Sequence, residues 1–544
     1  MNQKQQNYMR TIQKLTFSLV AVAGILGMTA CSKLDPKLGA PNQIAPTTSG
    51  GAPTPPSLAA VYEQLNGLSG GQGNWFAMQE HTTDIIMGPT RGTDWDDLGT
   101  WRRLHLHTWD GDHNQVRDTW NGLNGALFQT TLIAETATGA TKAQGQFLRA
   151  FFRFITCDLY GQVQTRPATA PAKEIPAVLT RSEAIDAIIK ELEECAPNLP
   201  TYNITNRRQA TKEAAWALLA KCHLNRAVYK QDPARPAGPY TFAKADMDKV
   251  IQYANQVAAN PLLQVDSYYW DNFTWDNASK SSENIFVRHN GGDPVAGNGT
   301  GLRWTWSMSN HYNQVPDGWN GFVALSQFYD SFEGNDVRLR DSIATSDYSR
   351  RVGPTAGMIV GQVYAPLPPA GSGRTGQIGD PVGAVRDRSG NPLVFSRRAS
   401  LTFNNEATGI RFNKYPMNPS SLNDGAWGTE NEFPFLRFSD VRLMKAEAVL
   451  RGGTDAETPL AIVNGIRSRR RVGNLGSVTL TNLLAERGRE LYLEGHRRTD
   501  LIRFGQFNAP VEERPASSSD AKVVFPIPTV SLSSNPNLKQ NFGY

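Results

Sequence analysis

Two stretches of the sequence, residues 69–117 and residues 262–432, combine aromatic rings with hydrogen-bonding side chains. A flat indole covers the C–H face of a sugar ring, while its N–H remains able to donate a hydrogen bond. The aromatic candidates are Trp75, Trp95, Trp101, Trp109, Trp304, Trp306, Tyr312 and Trp319. The polar candidates for contacts to hydroxyls are Arg91, Asp94, Asp96, Asp97, Asn310, Asn313 and Asn320. These residue types favour carbohydrate binding.

Trp95 is the first candidate for a stacking surface. It follows the segment from Arg91 to Asp94 in a polar turn that has no apolar periodicity to bury it. The alternative for each of these rings is that it anchors a loop to the core, and for any single tryptophan the two interpretations are equal. We expect at least two of the rings to contact ligand.

An acidic pair, Glu490 and Glu494, raises the alternative of an enzyme. Glycoside hydrolysis needs two carboxylates on either side of a sugar. At a spacing of four residues the two lie side by side on one helix, among arginines such as Arg487 and Arg497. Carboxylates in that setting stay ionised and form structural ion pairs. With no Gly-x-Ser-x-Gly elbow and no phosphate-binding glycine loop in the sequence, we predict neither catalysis nor a cofactor.

Metal binding is a weaker alternative. His105 and His107 would face one side of a strand, with Asp110, Asp112 or His113 as a third ligand. No HExxH or CxxC motif accompanies them, and residues 110–114 resemble only a fragment of a calcium loop without its distal glutamate. The sequence therefore favours packing or hydrogen-bonding roles, and we predict no metal site.

The first thirty residues form an export signal. A basic start is followed by an apolar run from Leu15 to Leu26 and by small residues before Cys31. The run is shorter than the roughly 20 residues of a membrane-spanning helix. The ending is similar to the lipobox of bacterial lipoproteins, in which the cysteine is acylated by fatty acids such as palmitate. We predict a lipid anchor on Cys31, with an ordinary secretory signal as the alternative.

Charge and cysteine content exclude other classes of protein. The net charge is +5, of which the signal contributes +3, so the mature chain carries about +2 (5 − 3) and no dense basic stripe. Nucleic acid is therefore not an expected partner.

Besides Cys31, the sequence contains Cys157, Cys195 and Cys222. An odd number cannot form a full disulfide framework, so we expect buried free thiols, and one disulfide stays open as an alternative.

Helical periodicity predicts the elements that must position these residues. A Pro-rich tether spans residues 31–57, and apolar residues at helical spacing then predict helices over 118–135, 147–159, 185–192 and 214–222. Further helices are predicted near 321–332 and over 435–450, 459–471 and 481–494. The folded part, 58–544, divides into a helical part (58–261, with a loop at 69–117), a loop-rich insertion (262–432) and a helical part (433–544). Alanine-rich facing positions favour tetratricopeptide-like helix hairpins.

Several motifs together carry a family resemblance. The C-terminal ones are residues 433–448, 463–469, 486–503 and 525–528 with 535–544; the N-terminal ones are 147–150 with 159–161, and Asp84 followed by 91–95. In order, spacing and position they resemble the SusD/RagB family of Bacteroidetes outer-membrane nutrient-binding lipoproteins. The resemblance covers essentially the whole mature chain.

This resemblance implies a mostly α-helical fold with tetratricopeptide-like hairpins, whose irregular loops bind ligand. It implies an oligosaccharide ligand, a SusC-like TonB-dependent transporter as partner, and a place in the outer membrane facing the exterior. The family's aromatic arc lies in the same two stretches, so we expect ligand contacts from Trp95, Arg91, Asp94, Asp97, Trp101, Trp304, Trp306, Tyr312 and Trp319. The alternatives are a peptide-binding RagB-like protein, a lipoprotein hydrolase and a purely structural transporter subunit.

Overall fold

Apolar residues at helical spacing build most of the structure, as the periodicity predicts. The computed structural model describes residues 55–171, 173–290, 308–314, 317–341, 356–367, 369–372, 380–416 and 430–544. Helix accounts for 44% of the structure and strand for 11%, so the prediction of a mostly α-helical fold is confirmed.

The helices and strands in chain order are as follows. The α-helices are α1 (Leu58–Tyr62), α2 (Asn66–Ser69), α3 (Asn74–Glu80), α4 (Thr100–His105), α5 (Asn114–Thr136), α6 (Gly139–Tyr160), α7 (Arg181–Cys195), α8 (Lys212–Tyr229), α9 (Lys244–Ala258), α10 (Asn277–Lys280), α11 (Ser326–Tyr329), α12 (Phe438–Leu450), α13 (Pro459–Arg469), α14 (Leu480–Leu491), α15 (Arg497–Arg503) and α16 (Thr529–Ser534). The strands are β1 (Ile86–Met87), β2 (Gln162–Thr165), β3 (Ala177–Thr180), β4 (Asn284–Arg288), β5 (Val323–Ala324), β6 (Arg340–Asp341), β7 (Ala356–Ile359), β8 (Gly361–Gln362), β9 (Tyr364–Pro366), β10 (Val382–Ala384), β11 (Val394–Phe395), β12 (Arg411–Asn413) and β13 (Phe433–Arg437).

Five long helices, α5 to α9, form the scaffold, and each packs against the next one in the chain. Local signals set their ends: the Thr180 hydroxyl accepts from the Glu183 N–H, and the Glu183 carboxylate accepts from the Thr180 N–H, which is a capping box at the start of α7. At Gly145 a Cβ would lie 2.5 Å from Ile133, so the missing side chain lets α6 approach α5 closely. The four helices predicted in this region are present with wider bounds; α9 is an additional one.

The C-terminal part joins this scaffold through α12, which packs on α9. The helix predicted over 435–450 starts at Phe438 in the structure, so the predicted start is three residues too early. Residues 433–437 instead form strand β13, which pairs with β4 and is buried along its whole length. A strand that is buried on both faces lacks the alternation that would distinguish it from a helix.

The two stretches predicted as loops contain short elements instead. Residues 69–117 include α3, β1 and α4, and the insertion contributes the small sheets of β4 to β12. The predicted helix near 321–332 is reduced to the four residues of α11. Two small apolar clusters lie beneath the short elements of residues 69–117 and of the insertion. One contains Met87, Val323, Leu325, Ala399 and Leu401; the other contains Val363, Ala365, Val385, Leu393 and Phe395.

The export signal (1–30), Cys31 and all but the last three residues of the tether lie outside the described residues. Within the part of the chain that is described, no helix combines the length and the apolar character needed to cross a bilayer. Residues Ala52–Tyr544 form a single unit by their contacts, and the three-part division of this unit stays a prediction.

Candidate functional site

Trp95 lies in a tight turn at the surface. The backbones of Arg91 and Asp94 pair as an isolated β-bridge, and Trp95 itself has a positive φ of 61°. Its half-buried indole packs on Phe322, with ring centroids 4.7 Å apart, and donates from Nε1 to the Trp319 carbonyl at 2.8 Å. The indole therefore has one anchored edge and an N–H that is already used, whereas the polar turn alone suggested a free ring.

Gly321 makes this position possible. A Cβ on Gly321 would lie 2.4 Å from two carbons of the Trp95 indole and 2.7 Å from the Met308 carbonyl oxygen. Contacts this short do not occur for real Cβ atoms, so only glycine lets the ring come this close to the backbone.

Tyr312 meets the same turn from a segment more than two hundred residues away. Its hydroxyl donates to Asp94 Oδ2 at 2.9 Å, and burial together with this carboxylate raises the pKa of Tyr312 to about 12. Above its ring lies the Arg388 guanidinium, with Cζ 4.3 Å from the centroid. Arg388 in turn pairs with Glu406 at 2.6 Å. Sequence reasoning missed Arg388 and Glu406, since no local motif connects them with Tyr312.

Two buried arginines hold the loop of residues 405–409 behind this surface. Arg91 donates to the carbonyls of Asn405 (2.5 Å) and Thr408 (2.9 Å), and Arg411 also donates to Thr408, at 2.6 Å. Neither forms an ion pair within the described residues, and burial lowers the pKa of Arg91 to about 10. The expectation that Arg91 contacts ligand stays a prediction; in this structure the residue is 6% exposed and its terminal nitrogens donate to backbone carbonyls.

Trp101 is likewise buried, and its predicted ligand contact stays a prediction. It lies on α4, is 5% exposed, and donates from Nε1 to Asp97 Oδ2 at 2.6 Å. Its spacing of three residues from buried Leu104 is the helical signal that could have indicated this. Trp75 and Trp109 are core residues too, so four tryptophans in one stretch do not form one surface.

The structure thus brings together three half-buried rings, which we call the aromatic rim: Trp95, Tyr312 and Trp319. Asp94 and Asp97 lie exposed beside them. The amide of Asn313 donates to the Arg386 carbonyl at 2.8 Å, which fixes the neighbouring turn. Trp304 and Trp306 lie outside the described residues.

The acidic pair is part of the scaffold. Glu490 is the second-last residue of α14, and Glu494 follows after the helix has ended. Both are fully buried and bind Arg437, at 2.8 and 2.9 Å. Burial alone would raise the pKa of the Glu490 carboxyl, but Arg470 and Arg437 hold it well below its usual range. Structural ion pairing is therefore correct, but the main partners come from other elements and not from the neighbouring arginines that the spacing suggested.

The histidine pair has packing roles. His105 ends α4 and is not on a strand; its Nε2 contacts the Glu512 carbonyl, and His107 Nε2 contacts the Thr82 carbonyl, at 2.9 and 2.8 Å. Among the described residues there is no group of His, Cys, Asp or Glu suited to hold a metal ion. Cys157, Cys195 and Cys222 are buried and free, as expected.

An internal cavity of about 50 Å³ lies between the N-terminal and C-terminal helices, lined by residues that include Trp75, Gln79 and Arg487. Ligand pockets usually measure about 300–1,000 Å³. A sugar ring therefore does not fit there.

Comparisons with known proteins identify the family and the fold. The model of the SusD family matches residues 265–544. Over 447 residues the chain is 25% identical to the starch-binding protein SusD of Bacteroides thetaiotaomicron, covering 77% of this chain and 75% of that protein. Among solved structures it is similar to a laminarin-binding SusD-like protein (TM-score 0.66, 19% identity, 90% of this chain and 98% of the other). It is also similar to surface glycan-binding protein A of B. thetaiotaomicron in complex with laminarihexaose (TM-score 0.61, 18% identity, 89% and 98%).

Proposed function

Because the chain belongs to the SusD family, we propose that it is a lipid-anchored protein that captures oligosaccharides and passes them to a SusC-like TonB-dependent transporter of the outer membrane. The observation that carries the glycan-binding part is the aromatic rim, where rings from two distant segments lie at one surface beside exposed carboxylates. Capture needs only stacking and hydrogen bonds, so no covalent step is involved.

Each residue of the predicted set has a proposed role. Trp95, Tyr312 and Trp319 cover sugar faces, and Asp94 and Asp97 accept hydrogen bonds from hydroxyls. Trp304 and Trp306 remain proposed contacts from the same stretch as Tyr312. Arg91 and Trp101 lie beneath the rim, where their hydrogen bonds to Asn405 and Asp97 hold the surrounding loops in place.

The names of the relatives suggest which ligands to test first. One binds starch, one laminarin, and one was solved with laminarihexaose. We therefore propose a glucan as the first class to screen, by calorimetry against starch, laminarin and peptide mixtures. Binding of peptides alone would contradict glycan capture and favour the peptide-binding alternative, and release of new reducing ends would indicate a hydrolase.

Trp95→Ala tests the site. It should weaken glycan binding by about 1–3 kcal/mol, the scale of one buried aromatic side chain. Trp216→Ala is the matched control, because Trp216 is also half-buried but lies on α8 outside the aromatic rim. Equal affinity of the Trp95 variant and the wild type for a confirmed ligand would exclude Trp95 as a contact.

The proposed membrane attachment rests on the lipobox-like sequence that ends at Cys31, and the proposed location rests on the family. We propose acylation of this cysteine, since several acyl chains give lasting attachment where one gives only marginal binding. Cys31→Ser should move the protein from the membrane fraction to the soluble fraction. Protease treatment of intact cells tests the orientation: protection of the wild-type protein would contradict exposure at the cell surface. Co-purification of the transporter with the wild-type protein tests the partner.

A further inference from the structure

Arg388 reaches the aromatic rim from the turn between β10 and β11. Its guanidinium stacks on Tyr312, with Cζ 4.3 Å from the ring centroid, yet 56% of its side chain remains exposed. An arginine over an aromatic face gains a cation–π contact, which holds the planar group parallel to the surface.

A single carboxylate fixes the orientation of this arginine. Glu406 accepts from the Arg388 backbone N–H at 2.8 Å with one oxygen and from Nε at 2.6 Å with the other. The two hydrogen bonds and the stacking on Tyr312 leave the side chain little rotational freedom. Most exposed arginines lose side-chain entropy when they bind, whereas this one has already lost it.

The turn that carries Arg388 is itself held in place. Asp387 Oδ1 accepts from the N–H groups of Ser389 (2.9 Å) and Asn391 (2.8 Å), and the preceding carbonyl of Arg386 accepts from the Asn313 amide. Asn313 adjoins Tyr312 in the chain, so the turn and the rim are tied together.

The terminal nitrogens, Nη1 and Nη2, make no hydrogen bond to any other described residue. A guanidinium presents their N–H groups as a flat fork, suited to two neighbouring acceptors. Glu406 binds Arg388 directly, and Asp94 lies close by on Tyr312. The negative charges of Glu406 and Asp94 would repel a sugar carboxylate or sulfate at this place. They would not repel the uncharged hydroxyl groups of a neutral sugar.

Resting on the proposed glycan-binding function, we propose that Arg388 determines specificity by donating two hydrogen bonds to neighbouring hydroxyl oxygens of a neutral sugar at Tyr312. Glu406 is a positioning residue for this donor: its carboxylate accepts from Arg388 and lies 3.4 Å from His311 Nε2, so it acts on the sugar through the arginine. The site therefore takes neutral glycans in preference to uronic-acid or sulfated ones.

The test uses the full-length protein and calorimetry with laminarihexaose and maltohexaose as neutral probes and an oligogalacturonate as the anionic probe. Arg388→Ala should weaken binding of the neutral probe about tenfold or more, the usual scale of hydrogen bonds from a charged group. Arg388→Lys should also bind more weakly, since an ammonium keeps the charge but lacks the fork. Arg398→Ala, which removes an exposed guanidinium outside this turn, is the matched control and should bind like the wild type.

Melting temperatures of the Arg388 and Arg398 variants show whether both remain folded. Wild-type affinity of Arg388→Ala would overturn the inference while leaving glycan binding intact. Tighter binding by that variant would also overturn it, because the guanidinium would then obstruct the Tyr312 face. Preferential binding of oligogalacturonate would refute the neutral-ligand assignment. If the wild type binds neither neutral probe, the inference falls together with the proposed glucan function.

Discussion

Gly321→Ala tests the architecture of the aromatic rim without removing any ring. The added methyl carbon would lie 2.4 Å from two carbons of the Trp95 indole, whereas ordinary contacts begin at 3.4 Å. The ring must therefore move by about 1.0 Å (3.4 − 2.4). The ring also packs on Phe322 and its N–H is bound to the Trp319 carbonyl, so the movement disturbs both contacts.

The expected magnitude follows from the distance dependence of dispersion. A gap of roughly 0.5–1 Å forfeits about a quarter to a half of the attraction. A shift of about 1.0 Å corresponds to the loss of about half, so if stacking on Trp95 stabilises the complex by about 1–3 kcal/mol, the variant should lose about 0.5–1.5 kcal/mol. This is roughly a twofold to tenfold rise in Kd. Overpacking should also lower the free energy of unfolding by about 1–3 kcal/mol.

Calorimetry with the screened glycan measures the first effect, and urea denaturation followed by circular dichroism measures the second. Gly122→Ala is the matched control, because it adds the same methyl group on α5 with no atom within 4 Å. That control should leave affinity unchanged and stabilise the helix by about 0.5–1 kcal/mol. Wild-type affinity of a destabilised Gly321→Ala would refute the idea that the position of Trp95 matters for binding.

Two further predictions concern the scaffold. Glu490→Gln should lower the free energy of unfolding by about 3–5 kcal/mol in urea denaturation, because it leaves Arg437 and Arg470 buried without this charge. The exposed Glu194→Gln should change it by less than about 1 kcal/mol, and equal effects of the two variants would contradict a buried network. His81 is buried, without a hydrogen-bond partner among the described residues, and burial lowers its pKa from 6.5 to about 3. The unfolded chain therefore binds this proton first as the pH falls, so stability is full above pH 6.5 and decreases towards pH 3, by about 2 kcal/mol at pH 5. His81→Phe, compared with the wild type by denaturation between pH 7 and 5, should remove that part of the decrease; parallel curves would contradict it.

The sequence predicted those parts of the fold that depend on local patterns. Ile185, Ile188 and Leu192 repeat at helical spacing, and the Thr180–Glu183 capping box marks where α7 begins. The family resemblance rests on motifs of this kind and is confirmed by the match to residues 265–544. Helix α9 shows that a regular pattern can still be overlooked, since Met247, Val250, Ile251 and Ala254 have the same spacing and are buried.

Contacts between distant segments could not be predicted in this way. Arg91 and Trp101 carry polar groups, and only the folded chain reveals that these groups are directed at a carbonyl and at Asp97. The partners of Glu490 come from β13 and from the residue after α13, and no local spacing indicates them. Arg388 has neither an aromatic neighbour in sequence nor a motif, so its place over Tyr312 depends wholly on the turn between β10 and β11.

The distances along the chain between partners at the aromatic rim have a consequence for assembly. The Tyr312–Asp94 hydrogen bond joins residues 218 apart, the Trp95–Trp319 bond joins residues 224 apart, and the Arg91–Asn405 bond joins residues 314 apart. Closing loops of this length is entropically costly and gains nothing until the distant segment has arrived. If the aromatic rim binds glycan as proposed, a growing, truncated or unfolded chain cannot bind it, and binding then reports that the segments carrying Asp94, Tyr312 and Asn405 have come together.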